Sequence, residues 1–309
     1  GALVAGGSGN LMMVAPAVVV SPSGAPSMMP FLFITIACGA ISGFHSLVAS
    51  GTTSKQLQCE TDAVLVGYGS MLIEGALAVM VIVACCAGIG MGYPVDEGGV
   101  LTGVSAWNSH YFSWGASAGL ASKIQAVVVG CANMMSTIGV PQSLGIVIMG
   151  VFIASFAGTT LDTSTRLQRY MITELSQTMN INISVIKATL IAVCSAALLA
   201  FSSGMSGKGA LQLWPLFGAL NQLLASIGLG VISVYIYNIK PRLIMVSGLP
   251  FLFMAVMTLW ATIENQLNFI ADAQWLLVGI NGAVMVVGVG LIVVLGYTIR
   301  VRLNLSRIN

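Results

Sequence analysis

The sequence predicts an all-α fold, a polytopic transmembrane helix bundle of about seven or eight spans, and three observations predict it. Hydrophobic residues make up 57% of the 309-residue chain and charged residues only 6%, against about one quarter charged in soluble domains. The apolar runs are about 20 residues long and do not alternate, which selects spanning helices over barrel strands. Glycine, at 36 residues, exceeds its usual share of about 7%, as expected where helices approach backbone to backbone or break.

Composition also excludes function classes. The net charge is +2, and most basic residues flank spans instead of forming a run that tracks a phosphate backbone, so no nucleic-acid partner is expected. Cys38, Cys59, Cys85, Cys86, Cys131 and Cys194 show no C-x-x-C spacing and read as free, buried thiols. His45 and His110 lack partners at ligand spacing, so neither a metal nor a cofactor is expected. Gly115 to Gly119 matches G-x-S-x-G, but without a strand-to-helix elbow, an acid and a base it names no nucleophile, and no enzyme is predicted. Gly88-Ile89-Gly90-Met91-Gly92 lacks nucleotide-loop spacing and reads as a glycine-rich helix end. The chain opens on Gly1 with no basic segment, so the start reads as a truncation without a signal peptide.

Taken in order, residues 1–20 carry Gly6, Gly7, Gly9, Asn10 and Pro16 and read as the tail of a helix. Residues 28–51 form the first span, and its second half changes character: from Cys38 to Lys55 it is rich in Gly, Ser and Thr. On a helix Thr35, Gly39, Ser42, Ser46, Ser50 and Thr53 make one small polar stripe with His45 beside it. We read this stretch as a broken transmembrane helix, in which Gly39, Gly43 and Gly51 permit unwinding. The freed backbone groups, with Ser42, Ser46, Ser50, Thr52 and Thr53, then coordinate an ion or a carboxylate. Close helix packing is the alternative use of such residues. The second span, 64–92, holds Glu74 well inside it; a carboxyl at that depth is protonated, paired or facing water.

Residues 93–123 form the longest polar connection, with Trp107, His110, Tyr111, Phe112 and Trp114, and suit an interfacial loop or lid. Residues 124–138 contain Asn133 and are short for a span, so they either cross or re-enter. Further spans fall at 143–161, continuing into a charged helix to 175, and at 184–201, 211–237, 243–263 and 274–297. The whole of 1–309 is expected to be one transmembrane domain. The positive-inside rule puts Arg166, Arg169, Lys240, Arg242, Arg300, Arg302 and Arg307 on one side and makes the C-terminus cytoplasmic. If 124–138 crosses, Lys123 is inside and Lys55 outside; if it re-enters, the two exchange.

Two more groups carry polar chemistry. Asp162 and Arg166 are spaced i, i+4 and can pair on a helix, as an interfacial salt bridge worth about 0.2–0.5 kcal/mol or as a gate latch together with Lys55. Asn221 and Gln222 enter a span just after Pro215 and Gly218, as helix-helix glue or as lining of a path.

Four stretches, CGAISGFHSLVASGTTSKQL, GYGSMLIEG, FAGTTLDTSTRLQRY and LWPLFGALNQLLA, occur in one order between Pro30 and Ala225 and resemble the carbon starvation protein family. The resemblance implies a cell inner membrane transporter of peptides, or of small carboxylates such as pyruvate, coupled to a cation (H+ or Na+), in the broken-helix, inverted-repeat transporter superfamily. Its members are longer, which implies that their N-terminal half is absent here. The motifs mark Gly43, His45, Ser50, Gly51, Thr52, Thr53 and Lys55, then Glu74, then Asp162, Thr165 and Arg166, and finally Trp214, Pro215, Asn221 and Gln222. Leu220 departs from the family, which carries a small residue there. Lipid, a small-molecule or peptide substrate and a coupling cation are the expected partners, with Glu74 or His45 carrying a proton. A nutrient-sensing membrane receptor component that binds the same ligands without moving them is the alternative.

Overall fold

The computed structural model describes residues 12–20, 24–95, 98–115, 117, 119–202, 204–205 and 208–305. Its order is α1 (Phe33–Ala40), α2 (Gly43–Gly51), α3 (Ser70–Cys86), β1 (Tyr93–Pro94), β2 (Val100–Leu101), α4 (Gly103–Tyr111), α5 (Leu120–Ser136), α6 (Gln142–Thr178), α7 (Val185–Phe201), α8 (Trp214–Ile239), α9 (Ile244–Ala271) and α10 (Trp275–Leu305). The all-α bundle expected from composition is present. Among the described residues six helical segments are long and apolar enough to cross a membrane: Met28–Lys55, Val64–Met91, Gln142–Thr178, Leu216–Ile239, Pro241–Ala271 and Trp275–Val301. A shorter apolar helix covers Val185–Ala200. The expected span at 143–161 and its charged extension form one continuous helix, α6. The helical tail expected at 1–20 falls largely outside the described residues; 12–20 are irregular, and Val14 N donates to Cys86 O at 2.9 Å.

Contacts gather the chain into two units, Gly1–Ala25 with Leu57–Asp162, and Pro26–Gln56 with Thr163–Asn309. In the first unit α3 ends in a tight turn, Gly88–Met91, followed by the two-residue antiparallel ladder β1–β2, with Tyr93 opposite Leu101. The backbones of α3 and α5 meet closely enough that a Cβ on Gly130 would overlap Ala84 O, so glycine there permits the approach. Ile89, Tyr93, Ala106, Ala126 and Val129 form the core of this region, and Trp107 and Tyr111 pack against it. Asn133 closes the helix end: its Nδ2 donates to Gly88 O (2.9 Å) and Gly92 O (2.7 Å), while its Oδ1 accepts from Gln142 Nε2 (2.8 Å). In apolar surroundings carbonyls freed at a helix end need such partners, and the amide supplies both donor and acceptor.

In the second unit α8 and α9 lie antiparallel. Leu216 packs with Phe269, Ala219 with Ala261, and the Ser233 and Ser247 hydroxyls meet at 2.9 Å. Small residues along this seam let the two helices approach. α10 joins through Asn281, whose Nδ2 donates to Thr262 O (2.9 Å) and Gln266 Oε1 (2.7 Å). Leu220 packs against the apolar cluster of Leu216, Phe269 and Leu277. The six cysteines are free. Burial holds for Cys131 alone; Cys59 and Cys194 are exposed because they sit in a loop and on an outward helix face.

Candidate substrate and ion site at a broken helix

The first span is broken where the sequence changes character. α1 stops at Ala40, and Ile41 (φ −134°, ψ 101°) and Ser42 (φ −111°, ψ 130°) are extended before α2 begins at Gly43. The interruption lies within the apolar 28-residue segment Met28–Lys55. An extended link inside such a segment leaves backbone groups that lipid cannot satisfy.

Asn221 of α8 fills that need. Its Oδ1 accepts the backbone N–H of Phe44 at 2.8 Å and the Ser42 hydroxyl at 3.2 Å. Its Nδ2 donates to Cys38 Sγ at 2.8 Å and Ser42 Oγ at 3.1 Å. Ser42 stands at the N-cap position of α2 but makes no cap of its own. The Asn221 side chain takes over that duty for one of the first N–H groups of the helix. Gly43 makes the approach possible, because a Cβ there would overlap Asn221 O and Leu224 Cβ.

The neighbouring Gln222 behaves differently. It is 0% exposed, and neither its Oε1 nor its Nε2 has a hydrogen-bond partner. The antiparallel pairing that brings Ser233 to Ser247 carries Gln222, eleven residues back along α8, toward Thr258, eleven residues on along α9, which is also fully buried with an unpartnered hydroxyl. The Asn-Gln pair therefore divides its work: Asn221 holds the broken helix, and Gln222 lies sealed in the α8–α9 seam.

The other predicted residues distribute as follows. Ser46, Ser50 and Thr52 turn their hydroxyls back onto their own helix, to Gly43 O (2.7 Å), Ser46 O (2.9 Å) and Val48 O (2.9 Å). Ser46 also lies against Gly228 of α8. Thr52 is buried, Gly51 packs against Leu167 of α6, and Thr53 begins the short turn Thr53–Lys55. Gly39 has open space around it, and His45 points outward from its unit. The small polar residues thus divide by face, with Ser42, Gly43 and Ser46 toward α8 and Gly39, His45 and Ser50 on exposed positions. Glu74 belongs to the first unit, on the outer face of α3, and Asp162 and Arg166 are exposed on α6.

Sequence reasoning missed three participants. Cys38, expected only as a buried thiol, places its sulfur among the four contacts of Asn221. No sequence motif singles out Tyr170, yet Lys55 Nζ lies 4.8 Å from its ring centroid and Arg169 Cζ 5.3 Å. His110, expected in an interfacial cluster, is buried, with Nδ1 2.8 Å from Tyr93 Oη. Burial pushes its pKa below the ordinary value. The aromatic run around His110 was the available signal for an inward-facing group.

A polytopic helical membrane protein with an interrupted span, its break held by an amide from a neighbouring helix, is the class these features define. The profile of the family described as "Carbon starvation protein CstA" matches residues 9–261. The chain belongs to the carbon starvation protein CstA family. It is 34% identical over 278 residues to the "Peptide transporter CstA" of Helicobacter pylori J99, covering 78% of this chain and 40% of the relative. It is 33% identical over 282 residues to the protein of the same description in Campylobacter jejuni, covering 80% and 40%. It is 31% identical over 292 residues to the "Pyruvate/proton symporter BtsT" of Escherichia coli K12, covering 76% and 40%. The chain thus spans about 40% of the length of these relatives. No solved structure matches it significantly.

Proposed function

We propose that this chain is the broken-helix portion of a secondary active transporter for peptides or small carboxylates such as pyruvate, resident in the cell inner membrane and coupled to protons or another cation. The observation that carries the reading is the extended link at Ile41–Ser42 inside an apolar segment, held open by Asn221. Irregular backbone at membrane depth is tolerated where it is buried in protein or lines a cavity, and interrupted helices supply ion and carboxylate ligands in transporters. The relatives described as a peptide transporter and as a pyruvate/proton symporter support both the transport and the proton. Glu74 and His45 are the proposed proton carriers. Ser42, Gly43 and Ser46, with Asn221, form the proposed substrate side.

The charge pattern supports a cytoplasmic C-terminus, with Arg166, Arg169, Lys240, Arg242 and Arg300 on one side. Lys55 beside Tyr170 and Arg169 supports placing Lys55 on that side too, which goes with the re-entrant alternative for 124–138.

Uptake of labelled pyruvate and of labelled dipeptides by vesicles holding the full-length protein, with and without a pH gradient, tests the reading. Gradient-driven uptake of one class is expected, and uptake of neither would overturn it. Glu74→Gln is expected to lose gradient-driven uptake and keep substrate exchange; wild-type behaviour would remove Glu74 from the coupling role.

A further inference from the structure

In the second unit, two cations share one aromatic ring. Lys55 closes the short turn Thr53–Lys55 that ends the broken-helix segment, and its Nζ lies 4.8 Å from the Tyr170 ring centroid. Arg169 of α6 brings its guanidinium carbon to 5.3 Å from the same centroid. At most about 10 Å therefore separates the two charges. Among the described residues, neither has a carboxylate within ion-pair distance. Close by in the chain, Leu167 lies against Gly51 and Thr52 is buried.

A ring face attracts a cation but does not neutralise it. Two positive charges held together without a counter-charge repel one another. The group that would relieve this is an oxyanion. A guanidinium presents a planar fork that matches a carboxylate two-handed, and an ammonium adds a point charge from a second direction. A peptide with a free C-terminus and pyruvate differ in almost everything else, yet both carry a carboxylate. We propose that Lys55 and Arg169, positioned by the Tyr170 ring, form an entry subsite that first receives the carboxylate of the transported molecule, with the whole of Gly43–Gly51 between it and the break. This rests on the transport reading above and adds the chemical feature by which one entrance admits both substrate classes. The competing occupant is the phosphate of an anionic lipid, since basic side chains near span ends reach for headgroups.

Binding, measured apart from transport, decides the matter. The full-length protein is placed in nanodiscs of neutral phosphatidylcholine or of phosphatidylglycerol and titrated calorimetrically with pyruvate, a dipeptide and the dipeptide's C-terminal amide. Pyruvate and the free dipeptide are expected to bind in both lipids, and the amide at least about tenfold more weakly, as for a lost charge-assisted contact. Lys55→Gln and Arg169→Gln should each weaken free-acid binding about tenfold or more and leave amide binding unchanged, with Arg169→Lys recovering part of the loss. A wild-type melting profile for the Arg169→Lys protein shows that the fold is kept.

Equal binding of acid and amide, wild-type affinity in both glutamine variants, binding of no ligand, or variant effects seen only in phosphatidylglycerol would each overturn the proposal, the last in favour of a lipid phosphate. Full uptake by the Lys55→Gln, Arg169→Gln double variant would sink this inference and leave the transport reading standing. Carboxylate-dependent binding without uptake would do the reverse.

Discussion

Replacing Asn221 with leucine removes a side chain that serves both sides of the break while keeping its volume close. Phe44 N–H then loses its acceptor at 2.8 Å, and Cys38 and Ser42 lose their shared partner. A buried amide left without an acceptor costs about 1–3 kcal/mol. Interhelical side-chain hydrogen bonds in membrane proteins average about 0.6 kcal/mol each. Asn221 is only 4% exposed, so water does not make good the loss. Together these give a destabilisation of about 2–3 kcal/mol, concentrated at the joint between α2 and α8. The assay is hydrogen exchange of residues 38–46 in the purified full-length protein, read alongside its thermal midpoint. Exchange there should accelerate by one to two orders of magnitude, by about tenfold per 1.4 kcal/mol. A double cycle with Ser42→Ala should return a coupling energy of about 0.5–1.5 kcal/mol. Unchanged exchange across 38–46 in Asn221→Leu would refute the reasoning that Asn221 holds the break.

Three further outcomes are expected. Gly43→Ala should destabilise the protein and abolish uptake, because the new methyl overlaps Asn221 O and Leu224 Cβ, whereas Gly39→Ala, with open space around it, should be nearly neutral; melting and uptake of the pair check this. Gln222→Leu should match or exceed wild type in thermal stability, by up to about 1–3 kcal/mol, since it removes a buried amide with no partner. A fall in its midpoint would show that Gln222 is satisfied in the working protein. His110 is buried and its pKa is lowered from 6.5, so the unfolded chain takes up its proton first as pH falls. Stability should therefore be fully present above about pH 6.5 and decline below it until the folded imidazole also protonates. Melting curves from pH 7.5 to 5 should show that slope in wild type and a flatter one in His110→Phe.

Much of this arrangement was legible from local pattern. The cluster of small polar residues from Cys38 onward marked either an interruption or a close helix contact, and Ser42, Gly43 and Ser46 serve both, at the break and against α8. The long apolar runs likewise marked the spanning helices, with shifted ends, as where α6 runs from Gln142 to Thr178, whereas α4 (Gly103–Tyr111) lies in the stretch read as a polar connection and no apolar run marks it. Pairing across the chain was not legible. Nothing near Asn221 shows that its partner is Ser42, 179 positions away, or that Gln222 next to it turns into a different seam. Adjacent residues on a helix point about 100° apart, so neighbours in sequence serve different interfaces. Tyr170 was invisible for the same reason, since its role comes from Lys55 on another element.

The central claim, that the substrate binds at the break, is tested most directly at Cys38. With the other cysteines of the full-length protein replaced, the rate of Cys38 alkylation is measured with and without saturating pyruvate or dipeptide. The sulfur already accepts from Asn221 Nδ2 at 2.8 Å and is half-buried. Substrate at the break should slow its alkylation severalfold, and Asn221→Leu should abolish that protection. An alkylation rate indifferent to substrate, in a protein that still transports it, would place the binding site elsewhere.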